Sequence, residues 1–302
     1  MNVNPPRSEP LPLDDLPFPA WDLYDLPTYG AGLPIEPLRG CPYGCVFCFR
    51  ALGRGVTYKS PERFVDEIAD AQHRYGATFF RFLAGTFPLK RSHGVEICER
   101  ILSRGLRITW EASTRVDVID RDLLKLMKRS GCTTLQLGIE SGDPEILRFC
   151  SKGITPGRCL EAARHCREIG IGVGLNFILG LPHETPATLR ATFALAWRLR
   201  PYAERANFAI LVPFPGTRVY DMALRGENGI GLRTRDWSDF GKQAGFALRH
   251  ANFRNGVLQR YQSLFYVLYY LGSPGRALRQ ASRGRVSHVL RRLVGRDRRT
   301  AQ

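Results

Sequence analysis

No run of about 18 consecutive apolar residues occurs in the 302-residue sequence, so no segment reads as a membrane-spanning helix. A secretory leader is also missing from the reading: the start, Met1-Asn2-Val3-Asn4-Pro5-Pro6, is polar and proline-rich. The thiols are therefore expected in a reducing cytoplasm. Acids are scarce, 28 against 44 Lys plus Arg, which leaves a net charge of +16. Much of that excess is terminal, because between Arg276 and Arg299 the single acid is Asp297. Residues 276–302 read as a solvated basic helix or tail, with contact to nucleic acid or a membrane surface the minority reading. What the chain has in quantity is apolar side chains, 44% of the total, enough to bury one barrel-sized domain with short appendages.

Of the eight cysteines, three stand close together: Cys41, Cys45 and Cys48, in Arg39-Gly40-Cys41-Pro42-Tyr43-Gly44-Cys45-Val46-Phe47-Cys48. No fourth ligand cysteine is near; the next is Cys98. Structural zinc and closed iron–sulfur sites complete their shell with a fourth protein ligand. Three thiolates at this spacing can instead hold three irons of a cubane and leave the fourth open to a cofactor or substrate. The plain alternatives are fortuitous thiols or a zinc knuckle short of a ligand. Cys98, Cys132, Cys150, Cys159 and Cys166 lack tight spacing and read as core thiols. An auxiliary cluster on Cys150, Cys159 and Cys166 is the other reading.

With these residues the chain resembles the radical S-adenosylmethionine superfamily. The resemblance covers about residues 33–220 and is closest to the branch of cobalamin-dependent methylases, elongator-type enzymes and methylthiotransferases. It implies a [4Fe–4S] cluster on Cys41, Cys45 and Cys48. Its open iron would be chelated by S-adenosylmethionine, whose cleavage yields a 5′-deoxyadenosyl radical. Phe47, just before the third cysteine, matches an aromatic that packs near the adenine in the family.

Apolar and amphipathic stretches then alternate. Pro61–Tyr75 reads as a helix capped by Ser60, with Phe64, Ile68 and Ala71 on one face. Strands are expected at 32–37, 78–83, 107–112, 134–139, 172–178 and 205–211, and helices at 95–104, 121–130, 144–149, 156–169 and 186–199. Single helices between strands argue for parallel βαβ units, hence an α/β partial (β/α)6 barrel. Residues 1–32 read as an extended, proline-rich, linker-like segment with Phe18, Trp21 and Tyr24 tacked onto the body. Residues 33–220 are the core and 221–275 a C-terminal helical cover. In 258–271 the aromatics Tyr261, Phe265, Tyr266, Tyr269 and Tyr270 pack the core, or close the barrel and line its pocket.

Chemistry in such barrels collects at the C-terminal strand ends. The second strand ends in Ala84-Gly85-Thr86-Phe87-Pro88. Here the resemblance implies contact with the cofactor through Gly85 and Thr86, although the family's acid is missing and an ordinary turn is the alternative. Ser113 and Arg115 follow the third strand, where Arg115 meets either a carboxylate of the cofactor or Asp117. Gln136-Leu137-Gly138-Ile139-Glu140-Ser141-Gly142 ends a buried strand in a charge that must find partners. By resemblance, Glu140 accepts from the cofactor's ribose or amino group, and Lys152 stands where relatives hold its carboxylate, while a surface position is the ordinary expectation for a lysine. Ile178, in Asn176-Phe177-Ile178-Leu179-Gly180-Leu181-Pro182-His183-Glu184-Thr185, and Val212 match segments beside the adenine. Glu184 is expected to cap the following helix.

The reading is a radical S-adenosylmethionine enzyme that abstracts hydrogen from a small metabolite, favoured as a C-methyltransferase of secondary metabolism. Dehydration, decarboxylation or epimerisation, RNA modification, and a non-catalytic iron–sulfur role are the alternatives. The expected partners are a small-molecule substrate, a flavodoxin- or ferredoxin-type electron donor and a cobalamin-binding partner, with nucleic acid not expected. Cobalamin itself is not expected to stay on this chain alone, because about 32 residues precede the first strand.

Overall fold

Strands and helices alternate along the core of the chain, with one helix between successive sheet strands except for two between the strands Cys132–Glu140 and Gly172–Leu179. The computed structural model describes residues 11–26, 32–49, 55–243 and 245–271. In chain order the elements are β1 Leu33–Ile35, β2 Leu38–Arg39, β3 Thr57–Tyr58, α1 Pro61–Tyr75, β4 Phe79–Phe82, α2 Arg91–Ser103, β5 Thr109–Thr114, α3 Arg121–Arg129 and β6 Cys132–Glu140. They continue with α4 Pro144–Phe149, α5 Pro156–Ile169, β7 Gly172–Leu179, α6 Pro186–Leu199, β8 Arg205–Ile210, α7 Arg218–Arg225, β9 Ile230–Leu232, β10 Leu248–His250 and α8 Val257–Leu271. Six strands form one sheet in the order β1-β4-β5-β6-β7-β8, the partial-barrel α/β fold expected. No described helix is long and apolar enough to cross a membrane.

Helix starts follow their caps. Ser60 accepts from Arg63 N at 3.2 Å, Asp120 from Leu123 N at 2.8 Å, and Asp143 from both Glu145 N and Ile146 N. Where the cap signal is absent the sequence reading slipped. Helix α2 begins at Arg91 rather than 95, because Lys90 stands at its N-cap without any side-chain bond. Strand β5 begins at Thr109 rather than 107, since its pairing with the four-residue β4 starts at Phe79↔Thr109. The pairings β2 with β3 and β9 with β10 were not foreseen; both are antiparallel and only two or three residues long.

The chain divides into two compact units. The first holds the segments up to Tyr43, from Gly55 to Leu137, and Arg164–Val173. Its core is an aromatic stack: Phe82 lies flat on Trp110 at 4.4 Å, and Phe64 and Phe87 meet Phe82 edge-on at 4.9 and 5.3 Å. The proline-rich segment binds to this unit through Phe18, which carries the Arg63 guanidinium at 3.8 Å, and through Asp14, which accepts from Ser60 N at 2.8 Å.

The second unit holds Gly44–Phe49, Gly138–Ala163 and the described residues from Gly174 onward. Here α8 bonds the backbone of β8, the last strand of the sheet. Tyr266 Oη accepts from Phe208 N at 3.1 Å and Tyr270 Oη from Ala206 N at 2.9 Å, while Gln262 Nε2 donates to the Phe208 carbonyl. Unpaired strand edges are sticky and unpaired buried amides cost about 1–3 kcal/mol each, so the aromatic stripe of 258–271 serves as an edge seal as well as core. The arginine-rich 276–302 lies outside the described residues.

Candidate functional site

The cysteine loop is shaped by a glycine. Gly40 sits at φ 90°, and a β-carbon there would fall 1.9 Å from the Gly55 carbonyl oxygen, so only glycine brings the chain into Cys41 on this path. Within the first unit, Gly85 faces the same cysteine: a β-carbon on it would lie 3.5 Å from Cys41 Cβ and 4.0 Å from Sγ. Thr86, next in line, is buried and donates its hydroxyl to the Gly85 carbonyl at 2.9 Å. Ser113 is exposed, and its carbonyl accepts from Phe87 N. Arg115 is 4% exposed and forks onto Asp117 with bonds of 2.9 and 2.8 Å, while its guanidinium lies 3.8 Å over the ring of Tyr43. Of the two roles open to Arg115, the structure shows the ion pair with Asp117, with the arginine clamping the loop's tyrosine.

In the second unit the loop continues through Val46, which is buried among Ile146, Leu181, Leu211 and Val219. Its N–H donates to the Cys150 carbonyl and its carbonyl accepts from Val219 N, so the peptides between Cys45 and Phe47 are held from both sides. Cys45 is buried and Cys48 exposed. Cys150 belongs to the same apolar cluster, and burial pushes its thiol up to about 12. Among the described residues no group of three or more His, Cys, Asp or Glu is gathered closely enough to hold a metal ion, and that applies to Cys41, Cys45 and Cys48 as well as to Cys150, Cys159 and Cys166.

The strongest phrase of the sequence, Gly138 to Gly142, has a physical reason at each position. Glu140 lines a cavity and ends β6 in the left-handed region, φ 66°, a conformation costing a non-glycine residue of order 1–3 kcal/mol. Its Oε1 accepts from Lys152 Nζ at 2.8 Å, with side chains only 10% and 7% exposed. A β-carbon on Gly138 would lie 2.5 Å from that Oε1 and 2.8 Å from that Nζ, so the glycine is the floor under the ion pair. Ser141 is fully buried against the Thr192 hydroxyl at 3.1 Å, and Gly142 lies so close to α6 that a β-carbon would fall 2.3 Å from the Ala191 carbonyl. Lys152 is thus not a surface lysine. The second carboxylate oxygen of Glu140 has no partner among the described residues, and Glu140 lines the cavity.

The cavity, about 810 Å³, brings together several of the expected residues within this unit: Phe47, Cys48, Glu140, Ile178 and Val212. Gly85, Thr86, Ser113 and Arg115 belong to the first unit. Missed by the sequence reading are Asn176 and Asn207, register partners on β7 and β8 that line the same cavity. The proton inventory orients Asn207. Tyr266 Oη accepts from Phe208 N, so its single proton goes to Asn207 Oδ1, at 2.7 Å; Gln243 Nε2 donates to that oxygen too, at 3.0 Å. The Asn207 amide nitrogen, without a partner among the described residues, is left as a donor at the wall. Lys242 and Trp237 complete that side.

Glu184 does not cap α6. Thr185 does, through a reciprocal pair with Thr188, and Glu184 turns back to accept from Gly180 N, where φ 85° makes the exit from β7. Its other oxygen is buried without a partner among the described residues, and burial pushes the carboxyl up to about 8. The folded chain therefore holds a proton there that the unfolded chain has already lost above the ordinary carboxylate range. Stability from this group is full at low pH and is lost as pH rises toward and through 8. Denaturation of wild type and Glu184→Gln at about pH 5 and about pH 9 is expected to show a smaller alkaline loss in the variant; equal losses would mean the carboxyl is ionised in the fold.

Residues 35–196 match the profile of the Radical SAM superfamily. An uncharacterised methyltransferase of Pyrococcus horikoshii is 36% identical over 78% of this chain and 52% of its own length. The hopanoid C-3 methylase of Methylococcus capsulatus is 30% identical over 74% of this chain and 43% of its own. Among solved structures, the radical S-adenosylmethionine methyltransferase TsrM of Kitasatospora setae, with cobalamin and a [4Fe–4S] cluster bound, shares the fold with a TM-score of 0.61 at 23% identity, covering 68% of this chain and 40% of that one. The chain spans about half the length of the curated relatives it matches.

Proposed function

The chain belongs to the radical SAM superfamily, and from that premise we propose that it is a C-methyltransferase acting on a small metabolite. It is a radical S-adenosylmethionine enzyme, and the cofactors of its family are a [4Fe–4S] cluster and S-adenosylmethionine. The observation that carries the proposal is the cavity wall in the second unit, where the open carboxylate oxygen of Glu140 stands among Phe47, Ile178 and Val212.

The donor set fits these groups. Cys41, Cys45 and Cys48, whose sequence spacing is that of a three-thiolate cluster loop, would hold the cluster. When bound, the cluster and S-adenosylmethionine supply an electron and the 5′-deoxyadenosyl radical. Glu140 would accept from the ribose hydroxyls or the amino group, held in place by Lys152. Phe47, Ile178 and Val212 offer apolar contact to the adenine. Asn207 and Asn176 would face the substrate, and the apolar part of the lining would limit water near a radical once the cavity is filled. Methylation, rather than another outcome of hydrogen abstraction, is supported by the methyltransferase names of the relatives, and a cobalamin-binding partner is its proposed methyl carrier. A flavodoxin- or ferredoxin-type protein is the proposed electron donor.

The test uses the reduced, cluster-loaded full chain, S-adenosylmethionine labelled on its methyl group, cobalamin and a metabolite extract. Label in a new carbon-bound methyl group is expected. Absence of any cofactor cleavage would overturn the catalytic reading, and cleavage without label transfer would overturn methylation.

A further inference from the structure

Away from the cavity just described, the second unit carries a groove of about 430 Å³ between the end of α7, β9 and β10, lined by Arg225, Arg233, Arg235 and Arg249 together with Thr234 and Leu232. It shares no lining residue with that cavity. Arg225 is held by Glu227 through bonds of 2.7 and 2.9 Å. Arg233, Arg235 and Arg249 pair with no carboxylate among the described residues.

All four arginines are exposed, and three of them have a contact that limits where the guanidinium lies. The Arg233 side chain lies against the Phe246 ring, 5.5 Å from its centroid, and its backbone N–H is bonded to the Ala247 carbonyl. Arg249 is the register partner of Gly231 across the β9–β10 pair, and its Nε and Nη2 would be 3.0 and 3.1 Å from a β-carbon there. Glycine at 231 is what lets this guanidinium lie across the strand. Glu227 fixes Arg225 in the same way. Like charges brought into one concavity repel, and an anion relieves the repulsion; arginine's fork suits phosphate oxygens two at a time.

We propose that this groove binds a soluble ligand carrying a pyrophosphate group. At least two negative charges are needed to match three arginines without acidic partners. A nucleic-acid track would string its charges along successive phosphates and interleave aromatics on which bases stack. This lining converges on one concavity and contains no aromatic side chain.

Calorimetric titration of the cluster-loaded full chain with inorganic pyrophosphate is expected to show one saturable site, about tenfold tighter than for inorganic phosphate and weakened by added salt. Arg233→Gln with Arg249→Gln should weaken pyrophosphate about tenfold at an unchanged melting temperature, and Gly231→Ala, which crowds Arg249, should weaken it in the same direction. Should either melt early, Arg235→Gln, on a loop, makes the same test. Pyrophosphate binding that is absent, or equal in these variants, overturns the site. An RNA oligomer binding more tightly than pyrophosphate through the same arginines would replace it with a nucleic-acid surface.

Discussion

Anaerobically loaded protein is expected to hold about four irons and four sulfides per chain, and replacing Cys41, Cys45 and Cys48 together by Ala should remove both them and all cleavage of S-adenosylmethionine. The contrast that makes this sharp is Cys98→Ala, which should leave the iron in place. A metal ligand must be a thiolate. Cys98 lies in the interior of the first unit, and burial pushes its thiol up to about 12, so it stays protonated at any working pH. The loop cysteines differ among themselves: Cys41 is half-buried, Cys45 buried and Cys48 exposed, and Gly85 leaves the space beside Cys41 free of a side chain. Iron and sulfide analysis with the visible spectrum decides it. A triple variant with full iron content would move the cluster elsewhere in the chain.

Lys152→Ala is expected to cost about 3–5 kcal/mol of stability, because it strands the Glu140 carboxylate in a nearly closed site where the pair had been mutually satisfied. A second substitution should recover most of this: Glu140→Gln with Lys152→Met removes both charges and keeps their volume. Affinity for S-adenosylmethionine should behave differently, falling by roughly 1.5–3 kcal/mol in any variant that lacks the Glu140 charge, with no recovery in the double variant. Denaturant unfolding and calorimetric titration separate the two effects. Wild-type stability in Lys152→Ala would show that the pair is solvated, and unchanged affinity in Glu140→Gln would leave the glutamate a structural role alone.

The lysine illustrates what a linear reading reaches and what it does not. Glu140 announces itself, since a charge at the end of Leu135-Gln136-Leu137-Gly138-Ile139 has to be answered. Lys152 gives no such sign, lying on a turn after α4 in a polar neighbourhood, and only the fold lays it across Gly138. The cap at Ser60 was legible because it is answered by a backbone amide three residues on; Asp120, Asp143 and Thr217 cap their helices in the same way, although none of them was read as a cap. Glu184 was misplaced for the opposite reason: its partner is four residues behind, at Gly180, and the capping role falls to Thr185. Asn176 and Asn207 were invisible, 31 residues apart in sequence, until parallel pairing made them neighbours. The Arg115–Asp117 fork was foreseen as one of two roles, but its stacking on Tyr43 joins segments about 70 residues apart.

One hydroxyl in the second unit has a double duty. Tyr266 takes the Phe208 amide on one side and gives its proton to Asn207 on the other. Docking of α8 and occupancy of the cavity wall therefore share a free energy. A ligand acceptor that polarises the Asn207 amide strengthens the bond from Tyr266 and thereby tightens the helix on β8. By reciprocity, whatever loosens α8 must weaken that ligand by the same factor, so the C-terminal helix acts as an energetic gauge of what the cavity contains.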